Sequence, residues 1–301
     1  MRRKLIKEIK ELKKKQKAVI LAHNYQIGEV QDIADFTGDS LELSRKAAQT
    51  GAEVIVFCGV RFMAETAAIL SPQKKVLLPV KGAGCPLADM ATAEQVEKEK
   101  ERHPKAAVVC YVNSSAEVKA ISDLVCTSAN AIEVVNSLPQ KEIIFLPDKN
   151  LGSWVSLHTD KQIILWDGHC YVHTEITKET VLQTKQKHPQ AMFFAHPECN
   201  PEVLELADEV LSTGGMLKTA RRTICKEIII GTEQGLLHRL GQENPEKGFY
   251  LPKKNIVCRN MKLTTLWSVR DALRDFKYEI KVPEGIREKA EQAIKKMMEI
   301  G

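Results

Sequence analysis

The stretch "AVILAHNY" at residues 18–25 decides the fold, because two altered copies of it follow further along the chain. "AVVCYVNS" at residues 107–114 and "AMFFAHPE" at residues 191–198 share its plan, an apolar run that ends in two polar side chains at positions i and i+2. These polar pairs are His23 and Tyr25, Tyr111 and Asn113, and His196 and Glu198. The sequence is therefore organised by an internal repeat.

Other landmarks recur in step with these strands. A small hydroxyl residue follows fifteen positions after each pair, at Ser40, Ser128 and Thr213. A second apolar run ends nineteen positions later, and a third run ("KVLLPVKGAGC", "QIILWDGHC" and "KNIVC") ends at Cys85, Cys170 or Cys258. Seven residues past each cysteine stands a threonine that suits a helix N-cap, at Thr92, Thr177 and Thr265.

The spacing predicts three copies of one β-α-β-α-β unit. We expect an α/β protein of three similar three-layer αβα domains, whose parallel sheets surround a central active site about a pseudo-threefold axis. The predicted domains are residues 1–86, 87–172 and 173–301, the last with a C-terminal extension.

Composition excludes several classes of protein. No apolar run approaches the ~20 residues of a membrane helix, and the basic start, Met1 to Lys4, lacks the apolar core of a signal peptide. The net charge of +5 gathers in residues 4–17, where Leu5 and Ile9 recur at helical spacing. We expect a solvated amphipathic helix there and not a nucleic-acid surface, and we expect a cytoplasmic protein.

The eight cysteines contain no C-x-x-C pair, so any metal site must gather its ligands from distant parts of the chain. Cys85, Cys170 and Cys258 occupy equivalent positions, and three thiolates suit either zinc or an iron–sulfur cluster with one open coordination position. Cys58 and Cys110 lie inside apolar strands and are expected to be structural, whereas Cys199 remains undecided.

Ligands of parallel α/β sheets bind beyond the carboxyl ends of the strands, where the polar pairs stand. The hydroxyl landmarks precede helices, whose N-termini suit carboxylate or phosphate, so we expect an acidic substrate. Several neighbours stay open between a role in the site and a structural role: His169, His173, Asp39 and Met261. Asn24, which points away from its neighbours His23 and Tyr25, is expected to be structural.

The motifs "LAHNYQ", "DIADFTGDSLELSRKAA", "YVNSSAEVKA", "CTSANA", "GHCYVH", "AHPEC", "STGGM" and "VCRNMK" together resemble the quinolinate synthase family across nearly the whole chain. The resemblance implies a [4Fe–4S] cluster held by Cys85, Cys170 and Cys258. It also implies condensation of iminoaspartate with dihydroxyacetone phosphate, which releases phosphate and two waters and forms quinolinate for NAD synthesis. A transient contact with the imine-producing enzyme, L-aspartate oxidase or aspartate dehydrogenase, belongs to the same expectation.

This chemistry suggests roles for the strand-end residues. We expect Tyr25 and Glu198 to transfer protons, and His23 and His196 to bind substrate or relay protons. The residues expected to hold carboxylates and phosphate are Ser40, Tyr111, Asn113, Ser128 and Thr213. Two other functions remain open, a zinc-dependent lyase or hydrolase on the same cysteines and a non-enzymatic cluster protein that carries electrons or senses oxygen.

Overall fold

The computed structural model describes residues 1–300, whose strands form three four-stranded parallel sheets. Within each sheet the first strand in sequence lies between the second and the third, and the fourth lies at the edge beyond the third. The same strand order in all three sheets confirms the predicted repeat and the α/β class.

The first sheet is built from the N-terminal quarter of the chain. Its strands are β1 (Ala18–His23), β2 (Phe36–Gly38), β3 (Val54–Cys58) and β4 (Lys75–Leu77), and its helices are α1 (Arg2–Lys15), α2 (Gly28–Gln31), α3 (Ser40–Gln49) and α4 (Arg61–Leu70). Helix α1 covers the predicted basic helix, and Leu5 and Ile9 are its buried residues.

The second sheet follows a short 3-10 helix at Ala88–Met90. Its strands are β5 (Ala107–Tyr111), β6 (Leu124–Cys126), β7 (Glu142–Leu146) and β8 (Gln162–Leu165), and its helices are α5 (Ala93–Arg102), α6 (Ala116–Ala120), α7 (Ala131–Ser137) and α8 (Lys149–Ser156).

The third sheet and the C-terminal helices complete the chain. Its strands are β9 (Met192–Ala195), β10 (Glu209–Val210), β11 (Glu227–Gly231) and β12 (Gly248–Tyr250). The helices are α9 (Tyr171–Thr174), α10 (Lys178–Lys187), α11 (Pro201–Leu204), α12 (Thr213–Arg222), α13 (Leu236–Glu243), a 3-10 turn at Met261–Leu263, α14 (Leu266–Asp275) and α15 (Glu284–Glu299).

Polar anchors repeat with the strands. An aspartate just before each short edge strand accepts the backbone N–H of a residue in the central strand, in the pairs Asp35 and Ile20, Asp123 and Val108, and Asp208 and Phe193, at 2.7–2.8 Å. Three equivalent lysines, Lys74, Lys161 and Lys247, donate to the last carbonyls of α3, α7 and α12 or the turns after them. Such lysines satisfy carbonyl groups that a helix end leaves unpaired.

Each sheet is covered by helices on both faces, because neighbouring residues of its strands point to opposite sides. In the first sheet Ile20 and Val56 pack against α1 and α14, while Leu21 and Phe57 pack against α3 and α4. The other two sheets follow the same three-layer plan.

The helix that follows each cysteine packs on the next sheet. Val96 of α5 packs against the second sheet, Val181 of α10 against the third, and Val269 of α14 against the first. The predicted caps are confirmed, because Thr92, Thr177 and Thr265 each form a capping box at the start of these helices. This order of packing closes the three sheets into a ring, because α14, the last of these three helices, returns to the first sheet.

Two features differ from the sequence prediction. Each unit has four strands, whereas the sequence predicted three. The additional strands β2, β6 and β10 are only two or three residues long, which is too short for an alternating pattern to be recognised in the sequence. The final strand of the third unit is Gly248–Tyr250, so the prediction of a strand at "KNIVC" is wrong. Asn255 adopts a left-handed φ of 62°, which ends any extended run there.

Among the helices of residues 1–300, none is both long enough and apolar enough to cross a membrane. The domain boundaries at residues 86 and 172 and the pseudo-threefold axis stay predictions.

Candidate active site

The three sheets direct the carboxyl ends of their strands toward one cavity. It contains about 610 Å3 of space between its lining atoms, counting the part open to solvent. All twelve predicted site residues line it: His23, Tyr25, Ser40, Cys85, Tyr111, Asn113, Ser128, Cys170, His196, Glu198, Thr213 and Cys258. The structure therefore brings together side chains that lie up to 235 residues apart in sequence.

The polar pairs extend from the central strand of each sheet. His23 ends β1 and Tyr111 ends β5, whereas His196 directly follows β9. Because the central strands are flanked on both sides, their ends are held by neighbouring chain and project into the cavity from three directions. His23 and Tyr25 also contact each other edge to face, with ring centroids 4.6 Å apart.

Helix starts supply the hydroxyl groups. Ser40 and Thr213 are the first residues of α3 and α12, which are capped by Asp39 and Ser212. Ser212 donates from Oγ to Asp39 Oδ2 at 3.1 Å, so these two helix starts are joined. Ser128 lies three residues before α7, and its Oγ is 3.2 Å from His196 Nε2. Free N–H groups at helix starts favour bound anions.

Glu198 lies at the centre of the histidine cluster. Its Oε2 atom is 2.9 Å from His173 Nδ1 and 3.2 Å from His196 Nδ1, and Asn113 donates weakly to Oε1 at 3.5 Å. Burial alone would raise the pKa of Glu198, but the His173 charge and hydrogen bonds from both histidines hold that pKa below its usual range. Glu198 is therefore a carboxylate at neutral pH.

Two histidines and two tyrosines of the cavity are held neutral near pH 7. Burial, with repulsion from His196 and Lys262, lowers the pKa of His23 to about 3, and burial likewise lowers the pKa of His196. Burial and the Glu198 charge raise the pKa of Tyr25 and of Tyr111 well above the usual tyrosine value. These four uncharged side chains offer proton donors and acceptors in the same cavity as the Glu198 carboxylate.

Tyr25 reaches Glu198 through a chain of contacts. Its hydroxyl is 2.6 Å from Thr232 Oγ1 and 3.4 Å from His173 Nε2, and His173 Nε2 is itself 2.8 Å from Thr232 Oγ1. The opposite nitrogen of His173, Nδ1, faces Glu198. His173, which the sequence left open between two roles, therefore lies in the cavity wall and links Tyr25 with Glu198.

The three equivalent cysteines line the same cavity, and Cys85 is close enough to Cys258 and Cys170 for their charges to be felt in the pKa of the thiols. Burial, with proximity to Cys258 and Glu198, raises the pKa of Cys85 to about 12. Burial also raises the pKa of Cys170 and of Cys258. Without a bound cation the thiols stay protonated, and a metal that binds them must displace their protons.

Two buried carboxylates that the sequence analysis missed hold these cysteines. Asp148 Oδ2 accepts the backbone N–H of Cys170 at 3.1 Å, and Glu233 Oε1 accepts that of Cys258 at 3.1 Å. Glu233 also pairs with Lys262 at 2.9 Å. Both carboxylates follow the second apolar run of their unit by one residue, so alignment of the repeats could have found them.

Comparison with known proteins identifies the family. The family model described as "Quinolinate synthetase A protein" matches residues 7–299. The chain is 55% identical over 298 residues to quinolinate synthase 2 of Methanosarcina acetivorans (99% of this chain and 96% of the relative). It is 56% identical to the quinolinate synthase of Thermodesulfovibrio yellowstonii (97% of each chain) and 54% identical to that of Dehalococcoides mccartyi (100% of each). This chain belongs to the quinolinate synthase family. It is therefore an enzyme, and the non-enzymatic alternative is set aside.

The donor set of the cavity suits a metal centre of a quinolinate synthase. Three partly buried cysteines, one from each repeated unit, line the same cavity, and two have their backbone N–H groups fixed by carboxylates. In addition, ligand atoms of Cys170, His173 and Glu198 lie within 4.8 Å of one another, so this wall could hold a metal ion. Soft thiolate ligands favour iron–sulfur clusters or zinc over magnesium or calcium.

The remaining open residues divide between cavity and core in this quinolinate synthase family member. Asp39 and Met261 line the cavity. Cys199 is fully buried, its Sγ is 3.4 Å from the carbonyl oxygen of Gly231, and it does not line the cavity. His169 also lies outside the cavity wall. Thr232, which contacts both Tyr25 and His173, was missed because its position ends an apolar run that carries no polar landmark in the other units.

Proposed function

We propose that the protein condenses iminoaspartate with dihydroxyacetone phosphate to form quinolinate, phosphate and two waters, as a step of NAD synthesis. The observation that carries the proposal is one cavity lined by all twelve residues that match the family motifs. The 54–56% identity to proteins named quinolinate synthase over nearly the whole chain supports the same reaction.

The cofactor we propose is a [4Fe–4S] cluster held by Cys85, Cys170 and Cys258. Three protein thiolates leave one iron of such a cluster without a protein ligand, and when bound it supplies a Lewis acid that helps hydroxide to leave. The presence of these three partly buried cysteines in one cavity supports this donor set. Zinc on the same cysteines is the competing assignment.

Binding of the substrates is assigned to the helix starts and strand ends. Both substrates are anions, and Ser40, Ser128 and Thr213 offer hydroxyl groups beside helix starts. Neutral Tyr111 and Asn113 add donors from the second sheet, and His23 and His196 add neutral imidazoles. Neutral donors bind carboxylate and phosphate oxygens without an opposing charge that must be buried as a pair.

Proton transfer is assigned to Tyr25 and Glu198. Glu198 is a carboxylate that contacts two histidines, so it can accept a proton and share it with either ring. Tyr25 keeps its phenolic proton at neutral pH and can donate it to a departing hydroxyl group. His173 contacts Glu198 through Nδ1 and both Thr232 and Tyr25 through Nε2, so a proton taken up at Glu198 has a route of close polar contacts back toward Tyr25.

We place the protein in the cytoplasm and propose transient contact with the imine-producing enzyme. The eight cysteines are all free, which suits a reducing compartment. Iminoaspartate is unstable in water, so its source must lie close to this cavity in time or space. No surface of the protein is assigned to the contact.

The test combines metal analysis with turnover. Protein purified without oxygen should be brown, contain iron and sulfide, and form quinolinate from dihydroxyacetone phosphate and enzymatically generated iminoaspartate. A colourless zinc protein that makes quinolinate would overturn the cluster assignment and keep the reaction. A fully loaded iron–sulfur protein that makes no quinolinate would overturn the reaction.

A further inference from the structure

The side chain of Asn24 connects a residue of the cavity wall with the guanidinium group of Arg239, which lies outside the cavity. This side chain is fully buried and does not line the cavity, although His23 and Tyr25 on either side of it do. Its Nδ2 atom donates to Thr213 Oγ1 at 2.9 Å, and its Oδ1 atom accepts from Arg239 Nη1 at 3.2 Å. Arg239, Asn24 and Thr213 thus form a continuous chain from α13 through the end of β1 to the start of α12.

The chemistry of the side chains sets the direction of both bonds. A guanidinium group has only donors, so the amide atom that faces Arg239 must be the oxygen. The amide nitrogen then faces Thr213, and because that nitrogen can only donate, the Thr213 oxygen must accept. The orientation of the Asn24 amide therefore follows from its partner and does not depend on how the two similar atoms were assigned.

This arrangement leaves the hydroxyl proton of Thr213 available. A hydroxyl group has one proton and two lone pairs, and Asn24 occupies a lone pair. Among residues 1–300, the Thr213 hydroxyl makes no second hydrogen bond. Thr213 lines the cavity at the first position of α12, so an anion bound there can accept this proton.

We propose that Asn24 and Arg239 are positioning residues that hold the Thr213 hydroxyl as a hydrogen-bond donor toward a carboxylate or phosphate in the cavity. The proposal rests on the proposed function for the chemical class of the ligand. It assigns a role to Asn24, which the sequence analysis treated as structural, and to Arg239, which the sequence analysis did not single out.

Arg239 is itself held rigidly enough to orient the amide. Its Nη1 also donates to the carbonyl oxygen of Thr37 in β2 at 2.6 Å, and its Nε donates to Glu243 at 2.7 Å. Three acceptors on different elements fix the guanidinium plane. Without Arg239 the Asn24 amide can rotate and offer its oxygen to Thr213, which would then donate its proton away from the cavity.

The test measures binding of two anions, quinolinate and inorganic phosphate, to the full chain with its iron content matched between variants. In Asn24→Asp the side chain that faces Thr213 can only accept a hydrogen bond. The Thr213 hydroxyl therefore donates its proton to the carboxylate and no longer offers it to the cavity. We expect Asn24→Asp and Thr213→Val each to raise the Kd of the tighter-binding anion about 10- to 100-fold, as for loss of a hydrogen bond to a charged group. Arg239→Met should raise this Kd by less. Thr213→Ser, which keeps the hydroxyl group, should bind the anion with the wild-type Kd.

A double-mutant cycle separates positioning from general damage. Asn24→Leu should weaken binding in the wild-type background and have no further effect in the Thr213→Val background, because its action passes through Thr213. The matched control is Asn244→Leu, which also removes a buried amide but in the third unit and away from Thr213. This variant should bind the anion normally. Equal effects of Asn24→Leu with and without the Thr213 hydroxyl would overturn the proposal.

The outcomes also distinguish this proposal from the proposed function. If wild-type protein makes quinolinate but the Asn24 variants bind both anions normally, the positioning proposal fails and the function stands. If wild-type protein makes no quinolinate but binds phosphate through Asn24 and Thr213 as described, the function fails and the positioning proposal stands. Binding of neither anion by the wild type overturns the positioning proposal, and it overturns the function as well only if the wild type also makes no quinolinate.

Discussion

His173 and His196 stack face to face, with ring centroids 4.5 Å apart, and direct their Nδ1 atoms toward the same oxygen of Glu198. His173 lies in α9, just after the cysteine of the second unit, and His196 directly follows β9 of the third unit. The buried carboxylate is thereby stabilised by two imidazoles at once.

Replacing Glu198 with glutamine should slow quinolinate formation about 100- to 10,000-fold, the range for loss of a general acid or base. The amide keeps the shape of the side chain but cannot accept a proton. Turnover is measured at matched iron content. Glu202→Gln, an exposed neighbour on α11, is the control and should retain full activity. Normal turnover by Glu198→Gln would contradict the proton-transfer role.

Replacing Tyr25 with phenylalanine should reduce kcat by a similar factor, because the ring contact with His23 remains while the donated proton is lost. Steady-state kinetics check this, with exposed Tyr278→Phe as the control. A variant with unchanged kcat would show that Tyr25 only fills space.

Thr232→Val should lower kcat about tenfold, because the valine cannot hold the Tyr25 hydroxyl or His173 Nε2. Thr232→Ser keeps the hydroxyl and should retain near wild-type activity. The comparison of these two variants is the measurement. If both are equally slow, the methyl group and not the hydrogen bonds carries the effect.

The effect of a cysteine substitution on iron and sulfide content should depend on whether the cysteine lines the cavity, and not on how deeply it is buried. Cys85→Ser is expected to lose most of the iron and sulfide of anaerobically purified protein, because one of three converging thiols is gone. Cys199→Ala, although adjacent in sequence to Glu198, should keep both, since Cys199 points away from the cavity toward Gly231. Iron and sulfide analysis decides; loss of the cluster from Cys199→Ala would require a different ligand set.

Metal-free protein should become less stable as the pH falls from about 6.5 toward 3, partly because of His23. Its pKa in the folded chain is about 3, against an ordinary value of 6.5, so the unfolded chain binds the proton more readily in this window. Stability present above pH 6.5 is therefore lost on acidification, by up to about 1.4 kcal/mol per pH unit. Thermal unfolding of His23→Gln between pH 7 and pH 4 should show a smaller decline than the wild type. Identical declines would mean that His23 is not buried as a neutral ring.

Much of the site could be predicted from the sequence because it is built by repetition. His23, Tyr111 and His196 carry equivalent positions of one unit, and the carboxyl ends of parallel strands meet at one edge, so their convergence follows from counting residues. Thr232 was missed because its counterparts are Gly59 and Pro147. Asp148 and Glu233 occupy equivalent positions, and they were missed because the first unit has Val60 there and the comparison of the units was not carried to this position. Comparison of repeated units identifies residue types that all three units share, and it misses those that only one or two units carry.

The sequence by itself determined the three α/β units, their helix caps and the twelve residues around the cavity, since periodicity and spacing are local properties of the chain. Only the tertiary structure decided which atoms meet. That Asn24 holds Thr213, that Tyr25 reaches His173, and that α14 returns to the first sheet all depend on contacts between residues about 150 to 250 positions apart. Such contacts are set by how the three sheets pack together, and spacing along the chain does not encode them.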